Sequence, residues 1–196
     1  MTGDAAALLQ TLAAVDPLYF SSFYRRARLF AERPTPGAAT ATLDLTTRCP
    51  LRCGFCFAAG TQDSGREFSL ADVQALEGQL HGLDRLVVIG GEPLAHPQFG
   101  AIARELGANH REIEIYTNAV PVPLDPARRE RWLTSRFGGL PARFVLTVAV
   151  DADHKAEMGN AAFSRRIEGM REAGRSLPWL GVRWNVNDAR LHTTGY

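Results

Sequence analysis

From residue 39 onward the chain alternates two kinds of segment, and that alternation limits its fold more than any other feature. ATATLDLTT (39–47) is β-prone and alternates in polarity. DRLVVIGG (84–91) is a continuous apolar run ending in glycines. EIEIYTN (112–118), RFVLTVAVD (143–151) and LGVRWNVND (180–188) complete five expected strands. Four helical patterns lie between them: SLADVQALEGQLHGL (69–83), PQFGAIARELGANH (97–110), DPARRERWLTSRFGG (125–139) and NAAFSRRIEGMREAG (160–174). Ser69 reads as an N-cap, with Asp72 three positions on as a variant of the capping box. Asp125 caps the third helix, with Pro126 at its first position. Gly107 and Gly174 read as helix stops. Apolar strands separated by amphipathic helices build parallel βαβ units, so the expected class is α/β.

Residues 5–32 also read as helical, with a break near Asp16 and Pro17. Phe20, Phe23 and Phe30 form a stripe suited to packing. A turn-rich joint from Arg33 to Gly37 follows, so residues 1–38 are expected as an N-terminal helical extension and 39–196 as the core domain. The net charge of +1 gives no argument for nucleic acid or an anionic membrane as partner. No run approaches the roughly 18 apolar residues of a membrane span. The N-terminus lacks the positive segment of a secretory signal, so a cytoplasmic protein is expected.

In parallel α/β folds ligands gather at the carboxyl ends of the strands. Cys49 follows the first strand, Gly90 to Pro93 end the second, and Thr117 and Asn118 end the third. Asp151 ends the fourth strand, and Asn187 and Asp188 end the fifth. The chain's three cysteines, Cys49, Cys53 and Cys56, all lie in TTRCPLRCGFCF (46–57), spaced C-x3-C-x2-C. In a reducing compartment such thiols point to metal or redox chemistry before disulfides. A structural zinc site takes four protein ligands. A cubane iron–sulfur cluster held by three thiolates keeps one iron open. The spacing leaves two readings: a zinc site completed by a histidine or carboxylate, or a cluster whose open iron binds something else.

The three cysteines, with the aromatic Phe55 just before the last, resemble the signature of the radical S-adenosylmethionine (SAM) superfamily. Gly90-Gly91-Glu92-Pro93 resembles that family's second hallmark, and the resemblance runs over roughly residues 40–188. It implies a partial parallel (β/α) barrel of about five to six strands, here with N-terminal helices. It implies that Cys49, Cys53 and Cys56 ligate three irons of a [4Fe–4S] cluster and that SAM chelates the fourth. It implies reductive cleavage of SAM to a 5′-deoxyadenosyl radical and hydrogen abstraction from a substrate, a peptide in a natural-product pathway or a small metabolite. An electron donor such as flavodoxin or ferredoxin would serve it.

By the same resemblance, Gly90 and Gly91 let the backbone approach a ligand, and their carbonyls join the Glu92 carboxylate as acceptors for the SAM ammonium. Pro93 fixes the exit of the turn, and Phe55 lies along the adenine. Thr117-Asn118-Ala119 resembles the family's Thr-Asn-Gly, with alanine for glycine, and the resemblance implies that Thr117 and Asn118 contact SAM. Ala149 stands where a ribose-binding serine often sits, so Asp151 or Thr147 is expected to take that contact. Asn185 or Arg183 is expected to meet the ribose or carboxylate of SAM.

One motif uses all the cysteines, so no auxiliary cluster is expected. A sixth strand and helix do not fit between Asp188 and Tyr196. The sheet is therefore expected to stop at five strands, to be closed by the N-terminal helices or a second copy in a homodimer, or to belong to a longer chain. The competing function class is a non-catalytic iron–sulfur or zinc protein, an electron carrier or a degenerate relative. The intact Gly90–Pro93 segment and Phe55 favour the enzyme; Ala149 and the short barrel favour the alternative. His81, His96, His110 and His192 read as loop or surface residues. The arginine pairs Arg25 and Arg26, Arg128 and Arg129, and Arg165 and Arg166 read as solvated helix faces. Asp151, Asp153 and His154 read equally as a capping loop or as substrate contacts.

Overall fold

The computed structural model describes residues 40–54, 56, 62, 64–80, 83 and 85–185. The expected helices in 5–32 with their phenylalanine stripe, Phe55, His81, His192, and Asn187 and Asp188 lie outside the described residues.

Among the described residues, five parallel strands form one sheet in the order β1-β2-β3-β4-β5. They are β1 (Thr40–Asp44), β2 (Arg85–Ile89), β3 (Glu112–Thr117), β4 (Arg143–Ala149) and β5 (Leu180–Asn185). Helices α1 (Leu70–Leu80), α2 (Phe99–Asn109), α3 (Pro126–Phe137) and α5 (Asn160–Ser176) occupy the crossovers, as the hydrophobic pattern demands. All four strand pairs are parallel, so the carboxyl ends of the strands open on the same edge of the sheet. This is the α/β arrangement of a partial parallel barrel.

One sheet face is the core. Leu86, Val88, Ile113, Ile115, Phe144, Leu146 and Val148 are all 1% exposed or less and pack with Ile102 and Leu106 of α2 and Leu133 and Phe137 of α3. Phe137 stacks on Phe144 at 4.8 Å between ring centroids and meets Phe99 edge-on at 5.9 Å. Gly107 and Gly174 serve this packing and do not end their helices. A Cβ on Gly107 would lie 2.9 Å from the Phe144 ring, and one on Gly174 would lie 3.0 Å from Val182. Each helix continues two residues further, to Asn109 and Ser176. The missing side chains let α2 and α5 settle on the sheet.

The opposite sheet face is polar near its middle. Register places Val87, Glu114 and Val145 side by side, with Arg85 one pleat earlier on β2 and Thr147 and Arg183 one pleat later on β4 and β5. Glu114 is 2% exposed, accepts a 2.5 Å hydrogen bond from Thr147 Oγ1 and pairs with Arg85 and Arg183. Thr147 thus donates its hydroxyl proton to Glu114 across the sheet.

The capping expectations hold. Asp72 Oδ2 accepts from Ser69 N at 2.8 Å, and Ser69 Oγ accepts from Asp72 N at 3.2 Å. Asp125 Oδ1 accepts from Arg128 N at 2.8 Å with Pro126 opening α3. Two elements had no sequence expectation. A short 3-10 turn, Pro93–Ala95, follows the glycines, and helix α4 (Ala152–Met158) follows β4, capped by Asp151. No helix among the described residues is long and apolar enough to cross a membrane.

Candidate active site

The site begins where β1 and β2 end. Past Asp44 the chain keeps running beside β2: Leu45 N donates to Ile89 O at 2.9 Å, Gly91 N to Thr46 O at 2.6 Å and Glu92 N to Arg48 O at 2.7 Å. The Gly90–Glu92 segment is thereby zipped to residues 45–48, which lead directly into Cys49. The glycines are required by this zipper. A Cβ on Gly90 would stand 2.4 Å from Thr46 O, and one on Gly91 would stand 2.5 Å from Arg48 O. Gly90 also has φ +146°, which side-chain-bearing residues rarely adopt. The missing side chains let this segment approach the backbone ahead of the cysteines.

The far side of the loop closes the same way. Thr47 N donates to Arg66 O and Phe68 N to Leu45 O, each at 3.0 Å, with an antiparallel bridge between Thr46 and Glu67. Glu67 accepts from Arg48 Nε at 2.8 Å and Thr46 Oγ1 at 3.2 Å, and the Arg48 bond holds its carboxyl below the usual range. His96 backs this turn and is 5% exposed. It accepts from Gln98 N through Nδ1 at 3.0 Å, and its Nε2 lies 3.8 Å from Glu67. His110 is equally buried, 3.4 Å from Glu77. Both correct the expectation of surface histidines: each follows a helical turn at the sheet's edge, where the ring is covered.

Glu92 has no exposed surface. Its Oε1 accepts from Thr117 Oγ1 at 2.7 Å and Leu94 N at 3.0 Å, and its Oε2 accepts from Asn118 N at 2.6 Å. Burial pushes its pKa up to about 7 against these hydrogen bonds, which pull it down. The carboxylate therefore clamps the end of β2 to the end of β3, and its described partners are all protein donors. Thr117 Oγ1 also accepts from Ala119 N at 2.8 Å, and Asn118 Oδ1 from Val120 N at 2.9 Å. Ala119, with no exposed surface, sits at φ +57°. That left-handed backbone explains why the resembling motif ends in glycine.

The arginine expectations divide. Arg166 of α5 reaches the same turn and donates to the carbonyls of Ala119, Val120 at 3.0 Å and Val122 at 2.9 Å. Arg129 is 6% exposed and bonds Leu124 O at 3.1 Å and Glu172 at 2.6 Å. Helical periodicity reads both as solvated. They are drawn inward because the turn after β3 leaves carbonyls that no strand satisfies.

The cysteine loop rests on the ends of β3 and β4. Cys53 is 8% exposed, Cys49 and Cys56 are half-buried, and all three are free thiols. Cys56 N donates to Cys53 O at 3.1 Å, making a turn of the last two. Arg52 N donates to Glu157 of α4 at 3.2 Å. Asp151 caps α4 and holds His154 Nδ1 at 2.7 Å, with its charge near Cys53. Asn185 closes β5, and its carbonyl accepts from Val150 N at 2.9 Å, so it lies beside the same edge.

Among the described residues, no three His, Cys, Asp or Glu side chains converge on a single metal-ion position. Burial raises the Cys49 thiol, with the charges of Glu92 and Cys56 adding to it. Cys53 is pushed up to about 12 by burial, then by Cys49, Asp151, Glu157 and Cys56. As thiolates, three sulfurs in one short loop would repel one another. A centre that carries several positive charges removes that cost, and metal ligation requires the deprotonated form. The cysteine loop fits a thiolate-held cluster on this ground.

Comparison with known proteins agrees with the geometry. The chain is 35% identical over 78 residues to the Probable GTP 3′,8-cyclase of Methanocella arvoryzae, a match covering 39% of this chain and 25% of that protein. The chain therefore spans about a quarter of that relative's length. A family profile described as the Radical SAM superfamily matches residues 43–181, which include the carboxyl ends of β1 to β4 and all three cysteines. The chain belongs to the radical SAM superfamily.

Proposed function

We propose that this chain binds a [4Fe–4S] cluster through Cys49, Cys53 and Cys56 and binds SAM at the carboxyl edge of the sheet. The observation that supports this most strongly is the zipper between residues 45–48 and Gly90–Glu92. It fixes the second family motif against the segment that delivers the first cysteine. Cluster and SAM together supply one-electron reductive cleavage of SAM to methionine and a 5′-deoxyadenosyl radical, which takes a hydrogen atom from the substrate.

The chain's own residues supply position and exclusion of water. The carbonyls of Gly90 and Gly91 serve as acceptors for the SAM ammonium. Glu92 acts through position: by clamping Thr117 and Asn118 it ties the glycine motif to the end of β3. Pro93 begins the 3-10 turn that carries the chain away from the site. Asp151 and Asn185, at the neighbouring strand ends, take the ribose side of SAM, and Phe55 takes the adenine. The substrate is a peptide or a small metabolite, and a flavodoxin or ferredoxin supplies the electron.

The test is SAM binding to the reduced cluster. Anaerobically reconstituted protein is reduced with dithionite and its electron paramagnetic resonance spectrum recorded with and without SAM. The proposal expects the cluster signal to change shape on adding SAM. A cluster signal that SAM leaves untouched would favour the electron-carrier alternative.

A further inference from the structure

Asn118 has a fixed amide. Its backbone N–H is held by Glu92 Oε2 at 2.6 Å, and its Oδ1 accepts from Val120 N at 2.9 Å. The second bond settles which way the amide faces, because only the oxygen can accept it. The NH2 group must then point the other way, and there it meets Cys49 Sγ at 3.6 Å. A second amide repeats the arrangement from the far side of the loop. Gln62 Nε2 lies 3.4 Å from Cys56 Sγ and 3.4 Å from Leu51 O. Two of the three thiols thus each face a side-chain N–H donor, while Cys53 lies within the field of the Asp151 and Glu157 charges.

We infer that Asn118 and Gln62 are positioning residues for the cluster, donating N–H···S hydrogen bonds to the Cys49 and Cys56 thiolates and raising its reduction potential. The inference rests on the cysteine reading above. Its physical basis is general. Adding an electron to a thiolate-held cluster increases the negative charge on its sulfurs, and an N–H dipole aimed at a sulfur stabilises the reduced state more than the oxidised one. Asn118 adds a mechanical link. The residue that donates to Cys49 also receives the Glu92 clamp, so the second motif and the first cysteine share one strand-end turn. This gives Asn118 a protein-directed role distinct from the SAM contact that family resemblance implies for it.

The test is a potentiometric titration of the full chain, anaerobically reconstituted and without SAM, followed by the signal of the reduced cluster. Asn118→Asp keeps the acceptor for Val120 N and replaces the donor with an anion. Gln62→Leu removes the second donor without touching the strand-end clamps, so it stays readable if the Asp variant does not fold. Iron content and far-ultraviolet circular dichroism are recorded on the same samples. The expected result is a lower midpoint potential in both variants at unchanged iron content, with the larger shift in Asn118→Asp. Poised at the wild-type midpoint, that variant should show an oxidised-to-reduced ratio raised about tenfold, equivalent to about 59 mV for one electron. Wild-type midpoints in both variants would overturn the inference while leaving the cluster reading intact. Absence of iron from the reconstituted wild type would overturn the cluster reading itself, and the inference with it.

Discussion

At the scale of single residues, Glu92 carries the sharpest consequence. Burial raises its pKa from an ordinary 4.5 to about 7. The folded state therefore keeps the proton between these values while the unfolded state has released it. In that window the folded state binds more protons, so the Glu92 contribution to stability falls as pH rises from about 4.5 to about 7, then levels off, by at most about 3 kcal/mol. Glu92→Gln removes the ionisation. It also turns an NH2 toward a site that presents donors from Thr117, Asn118 and Leu94, costing about 1–3 kcal/mol for the donor left unsatisfied. Urea melts of both proteins from pH 5 to pH 8 should show the wild-type advantage shrinking toward neutral pH. Parallel curves would mean that Glu92 does not titrate there.

The same residue shows what was legible. Gly-Gly-Glu-Pro stands out in the sequence as a motif, but the partners of its carboxylate do not. Thr117 and Asn118 lie 25 and 26 positions away and are brought near only by the parallel register. Arg166, Arg129, His96 and His110 escaped for a similar reason. Helical periodicity marks a polar position as facing out, whereas these side chains reach sideways to carbonyls and carboxylates on other elements. Glu114 was hidden inside an alternating strand pattern in which an acid normally faces water.

At the scale of elements, the alternation of strand and helix was readable almost residue by residue, because burial on a parallel sheet imposes it. What could not be read was the function of its glycines. Gly107 and Gly174 look like helix stops in sequence but are packing contacts in space. Helix α4 was missed because its 7 residues include none that is buried, leaving no apolar stripe to detect. The zipper of Gly90–Glu92 against residues 45–48 yields a direct prediction. In Gly91→Ala the new Cβ would meet Arg48 O at 2.5 Å and Thr47 O at 2.9 Å, both backbone atoms that cannot swing aside. Relief requires lengthening the Gly91–Thr46 and Glu92–Arg48 bonds, with an expected loss of about 2–3 kcal/mol and less iron bound per chain. Gly100→Ala is the control. Its Cβ would lie 3.6 Å from an Arg136 side-chain carbon, an ordinary contact, and alanine suits a helix better by up to about 1 kcal/mol. Equal stability in the two variants would contradict the zipper's importance.

At the scale of the whole molecule, the five-stranded parallel sheet sorts its contents by face and by end. One face holds the apolar core, the other the Glu114 charge cluster, and the carboxyl ends of the strands hold the cysteine loop, the glycine motif, Asn118, Asp151 and Asn185. This sorting follows from parallel topology alone, and it is why the strand-end residues could be grouped from sequence before their contacts were known. The measurement that tests the account most directly is 5′-deoxyadenosine formation. Anaerobically reconstituted protein is given SAM and a strong reductant, beside a Cys53→Ala control. The account predicts 5′-deoxyadenosine and methionine from the wild type and none from the variant. A wild type that assembles the cluster, binds SAM and still forms no 5′-deoxyadenosine would contradict it.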